Sequence, residues 1–163
     1  MPSNVERAWV AGIVDGEGCV TLIGSINQSA FRKPLISVDN TDVEILNELG
    51  RLYGGRVVAK KKAADHHRQA WTWRVYGADN IIALLREIVP YMRCAAKLER
   101  AWLLLDEYKR LTPRNGWYTD EARRAKLDFE RRFMAVGAGR GSQCRPILAP
   151  RLAEESGVEP LQV

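Results

Sequence analysis

Two carboxylates, Asp15 and Glu17, stand at the end of a short apolar segment inside the glycine-rich run Asp15-Gly16-Glu17-Gly18. Their oxygens are hard ligands suited to divalent cations, and a carboxylate cluster holding such a cation suits a phosphoryl substrate. The residues ahead, from Asn4 as candidate N-cap through Ala8, Trp9, Gly12 and Ile13, recur at the helical period, and Gly16 and Gly18 should stop the helix. Ala8 and Gly12 lie one helical turn apart and are small enough for a second helix to approach the backbone closely. Two copies packed in this way would bring the Asp15 and Glu17 of each together below the seam. The alternative is an apolar core helix with two solvated acids at its end.

The elements that must position these acids follow the same logic. Residues 19–26 alternate apolar and polar, 27–29 form a polar loop and 33–40 alternate again, which reads as a hairpin. Thr41 is placed to cap a helix with Glu44 as its capping-box partner, and Val43, Ile45, Leu46, Leu49 and Leu52 supply its apolar stripe up to Gly54-Gly55. Residues 56–62 and 68–76 form a second hairpin around 63–67, and Asp79 is placed to cap a helix that ends before Pro90. The order is αββαββα, an α+β pattern. Beyond it, residues 95–111 are amphipathic, with Leu98, Ala101, Trp102 and Leu105 on one face, and residues 119–136 form another helix rich in Arg, Lys and Glu. Residues 1–136 therefore read as one domain, with C-terminal helices over 95–136, and 137–163 as a flexible tail. Within that tail Gly137-Ala138-Gly139-Arg140-Gly141-Ser142 is no phosphate loop, because no strand precedes it and no Lys-Ser/Thr pair follows.

Composition bounds the function. A chain of 163 residues with 46% hydrophobic and 28% charged residues has ordinary globular proportions. No apolar run approaches the roughly 20 residues that span a bilayer, and the start lacks a secretory signal. A soluble, intracellular protein with no membrane partner is expected, in the cytoplasm or nucleoid or in an organelle. Cys19, Cys94 and Cys144 are far apart with no C-x-x-C spacing, which suggests neither a disulfide framework nor a zinc site, and Cys19 and Cys94 are expected to be buried. His66 and His67 beside Asp65 fit a hairpin tip better than a metal site. A net charge of +5 and a pI near 9.3 favour polyanionic partners, although they also serve solubility.

The strands sort by their period of two. Arg68, Ala70, Thr72 and Arg74 lie opposite Trp71, Trp73 and Val75; Arg56, Val58, Lys60 and Lys62 opposite Val57 and Ala59; Thr21, Ile23 and Ser25 opposite Val20 and Leu22; Lys33, Ser37 and Asp39 opposite Ile36 and Val38. One sheet face is polar and partly basic. A β-ribbon fits the DNA major groove, where Arg reads guanine and Lys holds phosphates, and Arg68 and Arg74 are the best-placed base readers. Alternation alone leaves a merely solvated face equally open.

The run Val10-Ala11-Gly12-Ile13-Val14-Asp15-Gly16-Glu17-Gly18 resembles, position by position, the LAGLIDADG motif of homing endonucleases. The resemblance extends over residues 5–110 and implies a fold in which four antiparallel strands form a saddle-shaped sheet on DNA with helices behind. It implies that Glu17 and the Gly16 carbonyl bind Mg²⁺, with Mn²⁺ substituting and Ca²⁺ binding without supporting efficient cleavage. It gives Asp15 a supporting catalytic role at the helix junction and gives Asn40, at the end of the second strand, the positioning of water. Lys97, after Pro90-Tyr91-Met92 and before Ala101, matches the family's catalytic lysine, with Arg93 as its substitute.

The DNA contacts implied come from Thr21, Ile23, Ser25, Asn27 and Gln28, from Arg32, Lys33, Ser37 and Asp39, from Arg56, Lys60 and Lys62, and from His67, Arg68, Thr72 and Arg74. No second motif exists, since Leu103-Leu104-Leu105-Asp106-Glu107 lacks the glycines and Gly50-Arg51-Leu52-Tyr53-Gly54 lacks the acids. Single-motif members work as homodimers, here through Ala8, Ala11 and Gly12, on long pseudo-palindromic double-stranded DNA. The resemblance thus implies an intron-encoded, site-specific, metal-dependent endonuclease that cuts both strands across the minor groove. The competing reading is a catalytically inactive DNA- or RNA-binding member of the same fold, a maturase or transcriptional regulator.

Overall fold

The structure, a computed structural model, describes residues 1–24, 31–62, 64, 66, 68–113 and 117–137. The chain opens with helix α1 (Asn4–Glu17), which runs directly into strand β1 (Gly18–Ile23). Strand β2 (Lys33–Asn40), helix α2 (Val43–Tyr53), strands β3 (Arg56–Ala59) and β4 (Trp71–Tyr76), and helix α3 (Ala78–Ile88) complete the αββαββα order. A 3₁₀ turn at Val89–Tyr91 leads to helix α4 (Ala95–Leu103), which widens into a π-helical segment at Leu104–Tyr108 and is followed by helix α5 (Asp120–Ala135). No helix of the described residues is long and apolar enough to cross a membrane.

All strands are antiparallel, in the order β1-β2-β4-β3, so both hairpins form as the alternation predicts and β2 and β4 meet in the middle. One face carries Val20, Leu22, Ile36, Val38, Trp73 and Val75, all at most 4% exposed, and the helices cover it with Val10, Ala11, Val14, Leu46, Leu49, Ile81, Leu84, Leu85 and Ile88. Trp73 sits at the centre and donates its indole N–H to the Gly54 carbonyl at 2.8 Å. That contact shapes the tight turn into β3. A Cβ on Gly55, whose φ is +91°, would stand 2.9 Å from the Trp73 indole nitrogen and 2.6 Å from the Arg74 carbonyl.

The helix starts differ from expectation by one residue at α1 and α2 and by two at α3. Ser3, not Asn4, caps α1, in a reciprocal box with Glu6. Asp42, not Thr41, caps α2, because the Asn40 side chain already accepts from the Asp42 N–H at 2.9 Å and delays the turn. Gly77, with φ +88°, occupies the cap of α3 without a side-chain bond, and Asp79 falls inside the first turn. Strands β3 and β4 are shorter than 56–62 and 68–76. Their last rung is Lys60 N–H to Ala70 O, after which the Gln69 amide bonds the Lys60 and Ala70 carbonyls and replaces the ladder.

The helix expected over 95–111 is α-helical only to Leu103, and the wider turn that follows keeps both Leu104 and Tyr108 inward. Helix α5 closes over this segment. Arg100 joins the parts by donating to the Val20 carbonyl at 3.2 Å and the Val136 carbonyl at 2.8 Å, its guanidinium 5.5 Å from the centre of the Phe133 ring.

A charge is buried here, on the same stripe of α5 as Phe129 and Phe133. Lys126 is fully enclosed, its ammonium 2.6 Å from the Thr112 hydroxyl and 3.6 Å from the centre of the Tyr108 ring. Burial pushes its pKa down to about 8, against the opposing pull of Glu130. An unfolded lysine titrates near about 10.4, so above about pH 8 the unfolded chain holds a proton that the folded chain has lost, and this group makes stability rise with pH up to about 10. Lys126→Met is expected to stabilise the chain at pH 7 by about 1–3 kcal/mol, with the advantage shrinking by pH 9.5. Urea denaturation of both proteins at the two pH values measures the difference.

Candidate metal site and nucleic-acid interface

The end of α1 is held by two groups that cross between helices. Lys97, in the first turn of α4, donates its ammonium to the Val14 carbonyl at 3.0 Å and the Asp15 carbonyl at 2.6 Å. In return the Asp15 carboxylate accepts from the backbone N–H groups of Arg93 and Cys94, the latter at 3.2 Å, just ahead of α4. A cation therefore serves the carbonyl end of one helix and an anion the amide end of the other, each at the pole that favours its charge. Gly18 closes the arrangement from below. A Cβ there would lie 2.6 Å from the Val14 carbonyl oxygen, so only glycine lets the helix pass straight into β1.

Two oxygen donors have no partner among the described residues. The Gly16 carbonyl belongs to the last helical turn, where no intrahelical partner exists. Glu17 is exposed, and no described residue donates to its carboxylate. Among the described residues no three His, Cys, Asp or Glu side chains gather into a metal site. One chain thus offers a hard carboxylate and a carbonyl, a donor set that fits Mg²⁺, which takes one or two carboxylates and fills its remaining positions with water and phosphate oxygens. Beside these donors, the outer face of α1 is bare: Ala8, Gly12 and Gly16 are exposed, and a Cβ on either glycine would meet nothing within 4 Å.

The open face of the sheet is laid out in cross-strand rows. Cys19, Ser37, Arg74 and Arg56 face one another across all four strands. Thr21, Leu35 and Tyr76 form a more apolar row on one side, with Ile23 and Lys33 beyond it, and Asp39, Thr72 and Val58 form the row on the other side. Arg74 and Arg56 are exposed, and no described carboxylate forms an ion pair with either. Asp39 accepts from Thr72 and, at 2.8 Å, from Lys60. Burial alone would raise its carboxyl group, but these bonds and the nearby Arg74 hold it below the ordinary carboxylate range.

Three expectations, those for Ala11, Thr72 and Cys19, are corrected, and the structure places most of the other predicted residues. Ala11 is fully buried with Val10 and Val14 in the chain's own core, so it has no surface for a partner; Ala8 and Gly12 do. Thr72 lies on the expected face but is 3% exposed, with its hydroxyl donated to Asp39, and so supports that acid instead of touching DNA itself. Arg68 and Lys62 are exposed but lie beyond the paired strands, where the sheet no longer fixes their facing. Arg32 donates its backbone N–H to Glu130 of α5 at 2.9 Å, its guanidinium lies 4.0 Å from the same carboxylate, and its side chain stays 38% exposed. Cys19 is exposed on the open face, not buried. Asn40 ends β2 two residues past Val38, the register partner of Gly18, with its Oδ1 accepting from Asp42. Ser25, Asn27, Gln28 and His67, together with 138–163, lie outside the described residues. Sequence reasoning passed over Tyr76, which is 48% exposed and follows Arg74 by the same period of two.

No family model matches the chain, and no curated protein matches it in sequence. Solved structures do match. The homing endonuclease I-CvuI in complex with its target, in the presence of Ca, is 20% identical with a TM-score of 0.64, covering 93% of this chain and 92% of that one. The archaeal intron-encoded homing endonuclease I-Vdi141I complexed with DNA is 15% identical with a TM-score of 0.64, over 86% and 89% of the two chains. The LAGLIDADG homing endonuclease I-GzeII in complex with a DNA target is 12% identical with a TM-score of 0.64, over 96% of this chain but 54% of that one.

The two acids hold different posts, and stability separates them. Asp15→Ala strands two backbone N–H groups and is expected to cost about 1–3 kcal/mol. Glu17→Ala, at an exposed position without partners, is expected to stay within about 0.5 kcal/mol of the parent in the same urea titration.

Proposed function

We propose that this chain, which has the LAGLIDADG homing-endonuclease fold, is a site-specific, divalent-metal-dependent endonuclease that works as a homodimer on double-stranded DNA. The observation that carries this reading is the exposed Glu17 carboxylate, unpartnered among the described residues, at the end of a helix whose outer face carries exposed Ala8, Gly12 and Gly16. Two copies of α1 packed along Ala8, Gly12 and Gly16 bring two such carboxylates to one seam, and a symmetric dimer reads a near-palindromic target. The neighbour I-CvuI is known with its DNA in the presence of Ca and, on another target, in the presence of Mg with the DNA not cleaved. That supports divalent-metal use here.

Mg²⁺, when bound, neutralises charge on the scissile phosphate and lowers the pKa of the attacking water. Glu17 and the Gly16 carbonyl hold it, and Asn40 orients water at the strand end. Asp15 and Lys97 position the helix end without touching the reacting atoms. Lys97 commits two of its three N–H groups to helix carbonyls, which leaves Arg93, exposed just ahead of α4, as the cation that meets the phosphate. Arg74, Arg56, Ser37 and Lys33 face the bases and phosphates of the major groove from the open sheet.

In a random-duplex library incubated with Mg²⁺, the parent is expected to cut both strands at a near-palindromic site, and Glu17→Gln to retain the same duplexes uncut. Cutting that survives Glu17→Gln would remove Glu17 from the chemistry, and selective retention by the parent without cutting would establish the binding-only alternative. Gly12→Leu adds a side chain where nothing stands within 4 Å, so it should fold with an unchanged melting temperature yet sediment as a monomer and lose double-strand cutting.

A further inference from the structure

The open sheet face contains an acid, and on a surface that meets phosphates a bare carboxylate is repelled. Asp39 is not bare. Its two oxygens are both engaged, one by the hydroxyl of Thr72, itself 3% exposed, and the other by the Lys60 ammonium at 2.8 Å. Thr72 stands directly opposite Asp39 in the β2–β4 register, so the carboxylate is fixed to the sheet from below while the Lys60 and Asp39 side chains stay 47% and 52% exposed. The result is an adjacent donor and acceptor, neutral as a pair, presented outward beside Arg74.

We propose that the Asp39–Lys60 pair reads one G·C base pair in each half-site of the DNA target, Asp39 accepting from the cytosine N4 amine and Lys60 donating to guanine O6 and N7. The inference rests on the DNA-binding reading of this face. In the major groove a G·C pair shows the guanine O6 acceptor beside the cytosine N4 donor, joined to each other at about 2.9 Å. The Lys60 nitrogen and Asp39 oxygen have the same separation and the opposite polarity. An A·T pair also offers a donor, but its two acceptors, adenine N7 and thymine O4, flank that donor on opposite sides, so an ammonium beside the acid reaches only one of them, whereas guanine N7 and O6 lie side by side. The carboxylate has no donor to offer, so an edge that presents only acceptors to it is rejected. Thr72 keeps the acid from turning away to follow its lysine.

The test is selection of bound sequences from a random duplex library in Ca²⁺, by the parent, Asp39→Asn and Lys60→Met. Asn retains an oxygen for the Thr72 hydroxyl, and melting temperatures close to the parent's confirm that both variants fold. The parent is expected to prefer G·C by about tenfold at one symmetric position in each half-site. Each variant should lose that preference at the same position and keep the preferences elsewhere. Variants that weaken binding to every sequence alike, or that alter two different positions, would overturn the inference. A parent that selects no sequence at all would instead overturn the DNA-binding reading beneath it.

Discussion

The structure hangs on the exchange of charge between the end of α1 and the start of α4. A helix C-terminus repels carboxylates by roughly the 0.3–1 kcal/mol that a well-placed cation gains there, and α1 ends on two of them. Asp15 escapes by turning its carboxylate to the backbone N–H groups ahead of α4, and Lys97 brings a positive charge to the carbonyls that Asp15 leaves behind. Glu17 has no such escape. It stays at the unfavourable pole without a partner among the described residues, which is the position in which a carboxylate gains most from a bound cation. The same clasp fixes Gly18, and through it the register of β1 and the sheet.

The open sheet face is built with two electrostatic strategies side by side. Arg56 and Arg74 stand directly opposite one another, an arrangement that costs a few tenths of a kcal/mol in a free sheet and is relieved only when an acceptor arrives from outside. One step along the strands, Asp39 and Lys60 are already satisfied by each other and by Thr72. The first row gains affinity from any polyanion. The second, neutral as a pair, gains little from phosphate alone. Net charge does not distinguish the two rows, and the register does.

How much of this the sequence discloses depends on whether a feature is local. The order of elements follows from periodicity, because burial of one face imposes the pattern on contiguous residues. Depth does not follow from it. Alternation places Thr72 on the correct face, yet a short side chain in a central strand is covered by its neighbours, and the charge on Lys126 conceals that it belongs to the buried stripe of α5. Ala11 falls with Val10 and Val14 on the inward side of α1, a depth that the motif resemblance does not disclose. The clasp is least legible of all, since Asp15 meets backbone groups of residues 93 and 94 that no spacing rule connects to it.

The proposed dimer asks α1 to serve two surfaces with one short helix. Its inner side is filled by Val10, Ala11 and Val14, and its outer side offers mainly Ala8, Gly12 and Gly16, which bury little apolar area when they meet a twin. Trp9, at 36% exposure, and Val5, at 79%, flank that stripe and add what larger side chains can. A seam so thin is geometrically specific, because only small residues allow the approach, but it is energetically modest. In the proposed complex a DNA duplex engaging both basic sheet faces at once would supply the missing term, since holding two subunits on one ligand raises the effective concentration of each for the other. In such a dimer, assembly of the two Glu17 carboxylates is linked to occupation of both half-sites, and a chain that meets only half of its target leaves the second carboxylate absent.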